Sequence, residues 1–368
     1  MVTLVRLSLV IACLIVGGYG HAAANDPVVF RFATVGDSRA EPGDPKLSAQ
    51  DAIWLQNSRV LARMTREIQT QAPQALVFNG DMIYGYSPER AMLDKQYAFW
   101  RGMMAQLLAS GTYVLPVPGN HEVQLKVKNS RGETVKQASV GSEEAWRANM
   151  GDLILDLPLW AAITGTKPAA WSVGHAPAAA SDGITSDQRQ LSYSFDVGSV
   201  HLVVINTDPV GLDSSAPVEW LAGDLAAAQA RGVKNIFVFG HKMAYTYTPG
   251  GGKQEGGFDV RKQVRDAFWD LMEEYRATYF CGHQHVYYAS QPRRASGGKA
   301  WQIIVGSGGS PLSVKMGSST RAADRMYAWA DVTAYRSGRV HVAVRGFDEA
   351  LGPTRLIEEW DLDDDTRN

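Results

Sequence analysis

Five short segments of the sequence each place a side chain that can bind a metal ion or transfer a proton directly after an apolar run. They are Gly36-Asp37, Gly80-Asp81-Met82-Ile83-Tyr84, Gly119-Asn120-His121-Glu122, Gly240-His241 and Gly282-His283-Gln284-His285. Carboxylate, amide and imidazole groups bind cations, and an imidazole also carries protons near neutral pH. Any one of these segments alone would be weak evidence, because such Asp and His residues often cap helices or lie in turns. Their order along one chain predicts a single site with several metal ligands.

Each segment follows a short apolar run that is typical of a buried β-strand. The runs cover residues 28–35, 75–78, 113–117, 236–239 and 278–281. Ligands of open α/β sheets bind outside the carboxyl ends of the strands, so five strand ends can deliver their side chains to one crevice. A glycine opens every segment, and glycine suits a tight bend or a close approach of the backbone. We therefore expect the five segments to meet at one edge of a layered sheet.

Helical patterns alternate with these strands and favour helices packed on layered sheets. The patterns predict helices over residues 48–70, 88–109, 216–231 and 259–276, a hairpin of 191–198 with 200–207, and late strands over 301–305 and 339–347. Two segments, 124–141 and 248–258, are predicted to be long irregular loops at the rim of the crevice. Loops of this length are lids, binding loops or mobile insertions, so they either select the substrate or have no role in the site.

Length and charge set broad limits on the class of protein. A chain of 368 residues can form one large α/β domain or two smaller ones. Its formal net charge is -2, so it has no basic footprint of the kind that nucleic-acid binders carry. We expect a small phosphorylated molecule as the partner, and the oligomeric state is not predicted.

The N-terminus has the three regions of a secretory signal. Arg6 is followed by an apolar run over residues 7–16 and by small residues that end at Ala24, which is the order of the charged, apolar and cleavage regions. A membrane anchor would need about 18 or more apolar residues, and this run is shorter. Residues 10–13 resemble a lipoprotein box, but the box lies very early and more apolar residues follow it, so lipidation is not favoured. We expect removal of residues 1–24 and a secreted or periplasmic protein without a stable membrane anchor. Only Cys281 then remains, so no intramolecular disulfide is expected.

Two metal ions held side by side by such ligands can hydrolyse a phosphate ester. This chemistry needs a carboxylate that both ions share, separate ligands for each ion, and a spacing of about 3.5–4 Å between the ions. We interpret Asp81 as the shared carboxylate.

With these motifs the sequence resembles the calcineurin-like metallophosphoesterases over residues 28–309, and residues 119–122 and 282–285 are the most specific part of the resemblance. The resemblance implies an α/β fold, a four-layer α/β/β/α sandwich of two mixed sheets flanked by helices. It also implies that residues 25–368 form one catalytic domain.

One motif departs from the family pattern. Where the family has Asp-x-His, this chain has Asp37-x-Arg39, and a guanidinium cannot bind a cation. A replacement ligand is offered by Asp81-x-x-Tyr84, which is similar to the motif of the purple acid phosphatases whose phenolate binds ferric iron. The alternative for Tyr84 is an ordinary aromatic residue at a strand end.

By this resemblance the chain binds two metal ions, iron with a divalent ion (Zn, Mn or Fe) being favoured. The first ion would be held by Asp37, Asp81, Tyr84 and His285, and the second by Asp81, Asn120, His241 and His283.

The resemblance also implies roles in catalysis. His121 would stabilise or protonate the departing oxygen; the alternative is a core histidine bonded to Glu122 or to backbone. Arg39 either binds a phosphate oxygen through its planar fork or pairs with a nearby carboxylate. We expect His121, Asp81 and Asn120 to be catalytic, and Arg39, Asn120 and His121 to contact the substrate.

The expected function is therefore that of an exported dinuclear phosphoesterase that uses in-line attack of a metal-bound hydroxide. A phosphomonoesterase of the acid-phosphatase type is favoured. The alternatives are a phosphodiesterase or nucleotidase on the same scaffold, with manganese or zinc in place of iron, and a non-catalytic binding protein that kept the fold after losing one metal site.

Overall fold

Two stacked six-stranded sheets form the centre of the protein, whose computed structural model describes residues 26–248, 256–318 and 321–364. The strands are β1 Val28–Val35, β2 Ala75–Phe78, β3 Tyr113–Pro116, β4 Gln124–Lys128, β5 Thr134–Ala138, β6 Tyr193–Val197, β7 Val200–Val204, β8 Asn235–Phe239, β9 Thr278–Cys281, β10 Tyr287–Ser290, β11 Gln302–Val305, β12 Met326–Tyr335, β13 Val340–Asp348 and β14 Arg355–Asp361. The helices are α1 Ala49–Trp54, α2 Ser58–Gln71, α3 Arg90–Ala109, α4 Asn120–Val123, α5 Val140–Met150, α6 Leu157–Thr164, α7 Val218–Ala230 and α8 Lys262–Glu274.

The strand order is β14-β13-β12-β1-β2-β3 in the first sheet and β10-β11-β9-β8-β7-β6 in the second. In the first sheet β1, β2 and β3 run parallel, and in the second β7, β8, β9 and β11 run parallel. The other pairings within these two sheets are antiparallel, so both sheets are mixed. Because parallel strands end at the same edge, the segments after β1, β2 and β3 are neighbours, as are those after β8 and β9.

Aromatic contacts show the order of the layers. Phe32 of β1 meets Phe237 of β8 between the sheets, with ring centroids 5.1 Å apart. On the outside, Trp100 of α3 packs on Phe78 of β2 at 5.1 Å, and Phe268 of α8 packs on the β9 tyrosine at 4.9 Å. The predicted sandwich of two mixed sheets flanked by helices is therefore confirmed.

Most of the predicted elements are present with boundaries shifted by a few residues, but the helix predicted over residues 48–70 is interrupted. Leu55 adopts a left-handed conformation (φ 52°) and ends α1. Asn57 caps α2 and donates its side-chain amide to the Gly309 carbonyl at 2.8 Å. The backbone N–H of Ala40 also binds the Leu55 carbonyl at 2.8 Å. These tertiary hydrogen bonds to distant segments override the local helical periodicity.

The prediction that residues 124–141 form an irregular loop is wrong. β4 and β5 form an antiparallel hairpin across a turn at residues 129–133, and α5 begins at Val140. In β4, Leu125 and Val127 alternate with Lys126 and Lys128, which is the period-two pattern of a half-buried strand. The high density of charge in this segment hides that alternation.

Two other predictions concern residues that the structure leaves largely undescribed. The signal sequence over residues 1–24 lies outside the described residues, as does most of the loop predicted over 248–258. None of the helices in the described ranges has both the length and the hydropathy that crossing a bilayer requires.

A buried charge network joins β6, β7 and α7 at a distance from the sheet edge described above. The two ring nitrogens of His201 lie 2.6 Å from Asp196 Oδ1 and 2.9 Å from Asp224 Oδ2. Arg231 pairs with the same Asp196 at 2.7 Å. Burial alone would lower the pKa of His201, but the hydrogen bonds to Asp196 and Asp224 more than offset burial and raise it.

Candidate dinuclear metal site

Six of the predicted ligands lie side by side where the two sheets meet at the carboxyl ends of their strands. Asp37 follows β1, Asp81 follows β2, and Asn120 opens α4 after β3. His241 follows β8, while His283 and His285 lie between β9 and β10. All six are buried or nearly so. The structure therefore brings these six side chains together in one pocket, as the sequence predicts.

Three candidate ligand atoms lie close to His241 Nε2. His241 Nε2 lies 3.1 Å from Asp81 Oδ1, 3.1 Å from Asn120 Oδ1 and 3.2 Å from His283 Nδ1. Donor atoms that share a metal with bonds of about 2.0–2.2 Å lie about 3.0–3.6 Å apart. The spacing of these four atoms therefore fits one bound ion.

A second group shares Asp81 with the first. Asp37, Asp81 and His285 each offer one ligand atom, and these atoms lie within 4.8 Å of one another. His285 Nε2 is 3.5 Å from Asp37 Oδ1. Since Asp81 belongs to both groups, its carboxylate is placed where a shared ligand has to be.

Asp37 provides a direct test of whether a cation fits the second group, that of Asp37, Asp81 and His285. Its Oδ2 accepts the backbone N–H of His283 at 2.9 Å, but its Oδ1 is buried and has no hydrogen-bond partner. Burial raises the pKa of Asp37 well above its ordinary value. A buried carboxylate oxygen without a partner is costly, and a cation would satisfy it.

Backbone carbonyls fix the orientation of two ligand imidazoles. His241 Nδ1 lies 2.8 Å from the Asn79 carbonyl, and His285 Nδ1 lies 2.6 Å from the Pro311 carbonyl. A carbonyl can only accept, so in both rings Nδ1 carries the proton and Nε2 is left as the free ligand atom. Such outer partners are the usual means of orienting a metal-binding histidine.

Glu122 is a residue of this site that sequence reasoning missed. Its carboxylate accepts four backbone N–H groups, from Gly119 at 2.7 Å, Asp81 and Met82 at 2.9 Å each, and Ile83 at 3.1 Å. Burial, followed by the charge of Asp81, raises the pKa of Glu122 to about 7. The side chain ties the loop after β2 to the start of α4, and its place in the third motif was the one signal for it.

Close approach of the backbone explains one glycine of the motifs. A Cβ atom on Gly282 would lie 2.2 Å from Asp37 Oδ2. Only a glycine at this position allows the strand end that delivers His283 to approach Asp37.

Arg39 occupies the place beside Asp81 that the missing histidine ligand leaves. Its Nε is 3.4 Å from Asp81 Oδ2, and its Nη1 contacts Glu41. The two carboxylates raise the pKa of Arg39 against the effect of burial. The pairing with a carboxylate, one of the two predicted roles, is thus present. Arg39 also lines a cavity of about 560 Å³ together with four of the candidate ligands, Asp81, Asn120, His283 and His285.

The hydroxyl of Tyr84 has a different neighbour from the one that metal binding requires. It accepts a hydrogen bond from Lys126 Nζ at 2.6 Å. To bind an ion beside Asp37 the phenol would have to give up this contact, and its role as a ligand stays a prediction. Tyr86, which sequence reasoning missed, is closer to the ligands, because its hydroxyl accepts from Asn120 Nδ2. That bond turns Asn120 Oδ1 toward His241.

His121 lies beside the ligands without belonging to either group. Its Nδ1 lies 2.5 Å from the Tyr84 carbonyl, and its Nε2 lies 3.6 Å from Asp81 Oδ2. The ring packs on Tyr86 with centroids 4.0 Å apart. Burial lowers the pKa of His121, although the Asp81 charge acts in the opposite direction. The bond to backbone that was the alternative for this residue is present, and His121 also lines the cavity with Arg39.

Comparisons with known proteins agree with this geometry. A family model described as calcineurin-like phosphoesterase matches residues 30–287. Among solved structures, a purple acid phosphatase (PPD1) from yellow lupin is 13% identical with a TM-score of 0.55, and the match covers 90% of this chain and 53% of that one. The chain thus spans about half the length of the lupin enzyme. At such identity the likeness is one of fold.

Two further structures match at lower similarity. A dimetal phosphatase from Danio rerio is 15% identical with a TM-score of 0.45, over 91% of this chain and 99% of that one. GAP50 of Plasmodium is 13% identical with a TM-score of 0.45, over 90% and 87%. No curated protein sequence matches the chain. The match of the family model to most of the chain shows that it belongs to the calcineurin-like phosphoesterase family.

Proposed function

We propose that the chain is an exported phosphomonoesterase of the acid-phosphatase type, with two metal ions in one catalytic domain over residues 25–368. The observation that carries the proposal is the position of Asp81, which both ligand groups share. Two bound ions would supply an ionised water as the nucleophile and would offset the charge of the phosphoryl oxygens. The first ion would be held by Asp37, Asp81 and His285, and the second by Asp81, Asn120, His241 and His283.

Arg39 supports the preference for a monoester. Its side chain is buried and lines the cavity beside the Asp81 carboxylate. A monoester dianion carries three terminal oxygens, one more than a diester, and the planar fork of an arginine binds such oxygens well. We therefore assign Arg39 to the substrate phosphoryl group, in addition to its pairing with Asp81.

His121 is assigned to the leaving group. With its Nδ1 proton directed at the Tyr84 carbonyl, the ring can donate to a departing oxygen only when Nε2 is protonated as well. A bound phosphoryl dianion adds negative charge beside Nε2, and nearby negative charge raises the pKa of a histidine. The substrate itself thus promotes the protonated form that assists departure. Asn120 stays in contact with Tyr86 and can also reach a phosphoryl oxygen.

The test measures hydrolysis of p-nitrophenyl phosphate and bis(p-nitrophenyl) phosphate by the purified protein, loaded in turn with iron, zinc and manganese. We expect two ions per chain by elemental analysis and a higher kcat/KM for the monoester. Arg39→Gln should raise KM for the monoester about tenfold, since hydrogen bonds to charged groups are worth about 1.5–3 kcal/mol. Arg39→Lys should restore part of the affinity. A preference for the diester would support a phosphodiesterase or nucleotidase instead.

An arginine at position 39, where the family has a ligand histidine, is the reason to keep a non-catalytic binding protein as an alternative. A protein that binds one ion or none and hydrolyses neither ester would be a binding protein with this fold, because a guanidinium stands where one ligand is missing. Asp81→Asn is the matched control for metal dependence, since it neutralises the shared ligand with little change of shape.

The preference for iron over zinc or manganese depends on whether the Tyr84 phenolate binds the first ion. Ferric iron bound by its phenolate would give a visible charge-transfer band, and Tyr84→Phe would remove that band. The present contact of the hydroxyl with Lys126 Nζ at 2.6 Å must then be exchanged for the ion. A colourless, iron-free and fully active enzyme would instead assign zinc or manganese to the site.

Export rests on the N-terminal sequence. Residues 7–16 are apolar and Ala22-Ala23-Ala24 ends the candidate signal, so we expect a mature protein that begins at Asn25. N-terminal mass spectrometry of the protein from the extracytoplasmic fraction tests this. Recovery of an intact Met1 in the cytoplasmic fraction alone would contradict it.

A further inference from the structure

Three lysines share one face of the β4–β5 hairpin, and we refer to Lys126, Lys128 and Lys136 as the lysine face. Lys126 is directly opposite Lys136 across the two strands, and Lys128 is opposite Thr134. Side chains two positions apart on a strand point the same way, so the three ammonium groups are on one side of the hairpin. Like charges directly opposite each other destabilise a strand pair. The hairpin therefore carries a repulsive pair that its own fold does not need.

Two lysines of this face, Lys126 and Lys136, lie beside Tyr86, whose hydroxyl contacts the candidate ligand Asn120. Lys126 Nζ and Lys136 Nζ lie 4.9 Å and 4.7 Å from the centre of the Tyr86 ring. That ring in turn packs on His121 at 4.0 Å. Lys136 lines the same cavity as Arg39 and His121. The two aromatic contacts hold the ammonium groups at the rim of the site.

Carboxylates do not balance this charge. Among the residues that the structure describes, no acidic group lies within 4 Å of the Lys126 or Lys136 ammonium, and Lys126 donates to the Tyr84 hydroxyl. The acids inside the cavity have other partners. Glu41 pairs with Arg39, and the Asp81 carboxylate belongs to both metal groups. With ions bound, the positive charge at the rim stays uncompensated, which favours an anionic ligand.

We infer that the lysine face binds a second phosphoryl group of the substrate while the first lies on the metal ions, so that the preferred substrates carry two or more phosphoryl groups. This inference rests on the proposed function. The cavity of about 560 Å³ extends from the ligands to Lys136 and has room for both groups. In the reaction, a water oxygen bonds to the first phosphorus, the bond from phosphorus to the bridging oxygen breaks, and a water proton passes to that oxygen. Inorganic phosphate leaves, and the product keeps its second phosphoryl group.

The test compares kcat/KM for p-nitrophenyl phosphate with that for three substrates that have a second phosphoryl group: inorganic pyrophosphate, adenosine 5′-diphosphate and fructose 1,6-bisphosphate. Lys126→Ala/Lys136→Ala should lower kcat/KM for at least one of the three about tenfold more than for p-nitrophenyl phosphate. The most affected substrate identifies whether adjacent or separated phosphoryl groups are bound. Lys126→Arg/Lys136→Arg should retain most of the preference.

Lys95→Ala/Lys167→Ala is the matched control, since it removes the same charge from exposed positions elsewhere and should leave all ratios unchanged. Calorimetric binding of methylenediphosphonate relative to methylphosphonate gives a readout without turnover, and the same double variant should weaken the first ligand about tenfold more than the second. Equal losses for both ligands would overturn the inference. A wild-type protein that hydrolyses nothing but loses diphosphonate affinity in the variant would refute the proposed function alone.

Discussion

Replacing Glu122 with glutamine should weaken the fold and the metal site together. The carboxylate accepts four backbone N–H groups, two on each oxygen, from the loop after β2 and from the residue before α4. A glutamine keeps one acceptor oxygen, and its amide nitrogen faces the other two N–H groups. Each buried donor left without a partner costs about 1–3 kcal/mol. We therefore expect the free energy of unfolding to fall by about 2–6 kcal/mol, which is a large part of the stability of a typical domain.

Metal binding should fall as well, because two of those N–H groups position Asp81 and Asn120. The donors belong to Asp81 itself and to Gly119, the residue before Asn120. Loss of an outer partner of a metal ligand usually costs 10- to 100-fold in affinity, so we expect about that loss for zinc. Urea denaturation of the metal-free protein gives the first quantity, and calorimetric titration with zinc gives the second.

Glu143 offers a matched control. Its carboxylate is also buried, and Oε1 alone accepts hydrogen bonds, from Ser186 Oγ at 3.0 Å, Gln188 Nε2 at 3.2 Å and the Val210 N–H at 3.2 Å. Glutamine can keep that oxygen in place, so Glu143→Gln should cost about 1 kcal/mol and leave zinc affinity unchanged. If Glu122→Gln and Glu143→Gln have the same effects on both quantities, the four-bond clamp does not position the ligands.

Two other substitutions test the site and the buried charge network. Gly85 has a φ of 60°, and a Cβ there would lie 1.7 Å from the His121 carbonyl oxygen; Gly85→Ala should therefore displace the segment that carries His121 and, under the proposed function, lower kcat/KM about 100-fold. Gly132→Ala, at a φ of 76° with open space around it, should cost only about 1–2 kcal/mol of stability and keep activity; equal effects would contradict the steric argument. His201→Gln should destabilise the protein most at low pH. The folded pKa of His201 is raised, so its stabilisation is fully present below the unfolded value of about 6.5 and is lost as pH rises through the folded pKa. Urea midpoints of both proteins between pH 5 and 9 measure this, and a pH-independent difference would contradict it.

Local patterns explain why much of the fold is predictable. The strands before Asp37 and Asp81 are short apolar runs closed by glycine, and that signal needs no knowledge of the rest of the chain. The helix predicted over residues 48–70 is interrupted at Leu55, whose carbonyl accepts the backbone N–H of Ala40 in the loop after β1. The β4–β5 hairpin is missed because the many charged residues of this segment hide the alternation of its apolar and polar side chains.

The sequence by itself determined which side chains stand at the strand ends and which chemistry they can perform, because residue type and strand periodicity are local properties. Only the tertiary structure decided their partners. Arg39 contacts Asp81, and the Tyr84 hydroxyl accepts a hydrogen bond from Lys126. The Tyr86 hydroxyl accepts from Asn120, and the Glu122 carboxylate accepts from four backbone N–H groups. These side-chain partners belong to segments far apart in the chain. The packing of both sheets sets the positions of such segments, and no local sequence pattern specifies them.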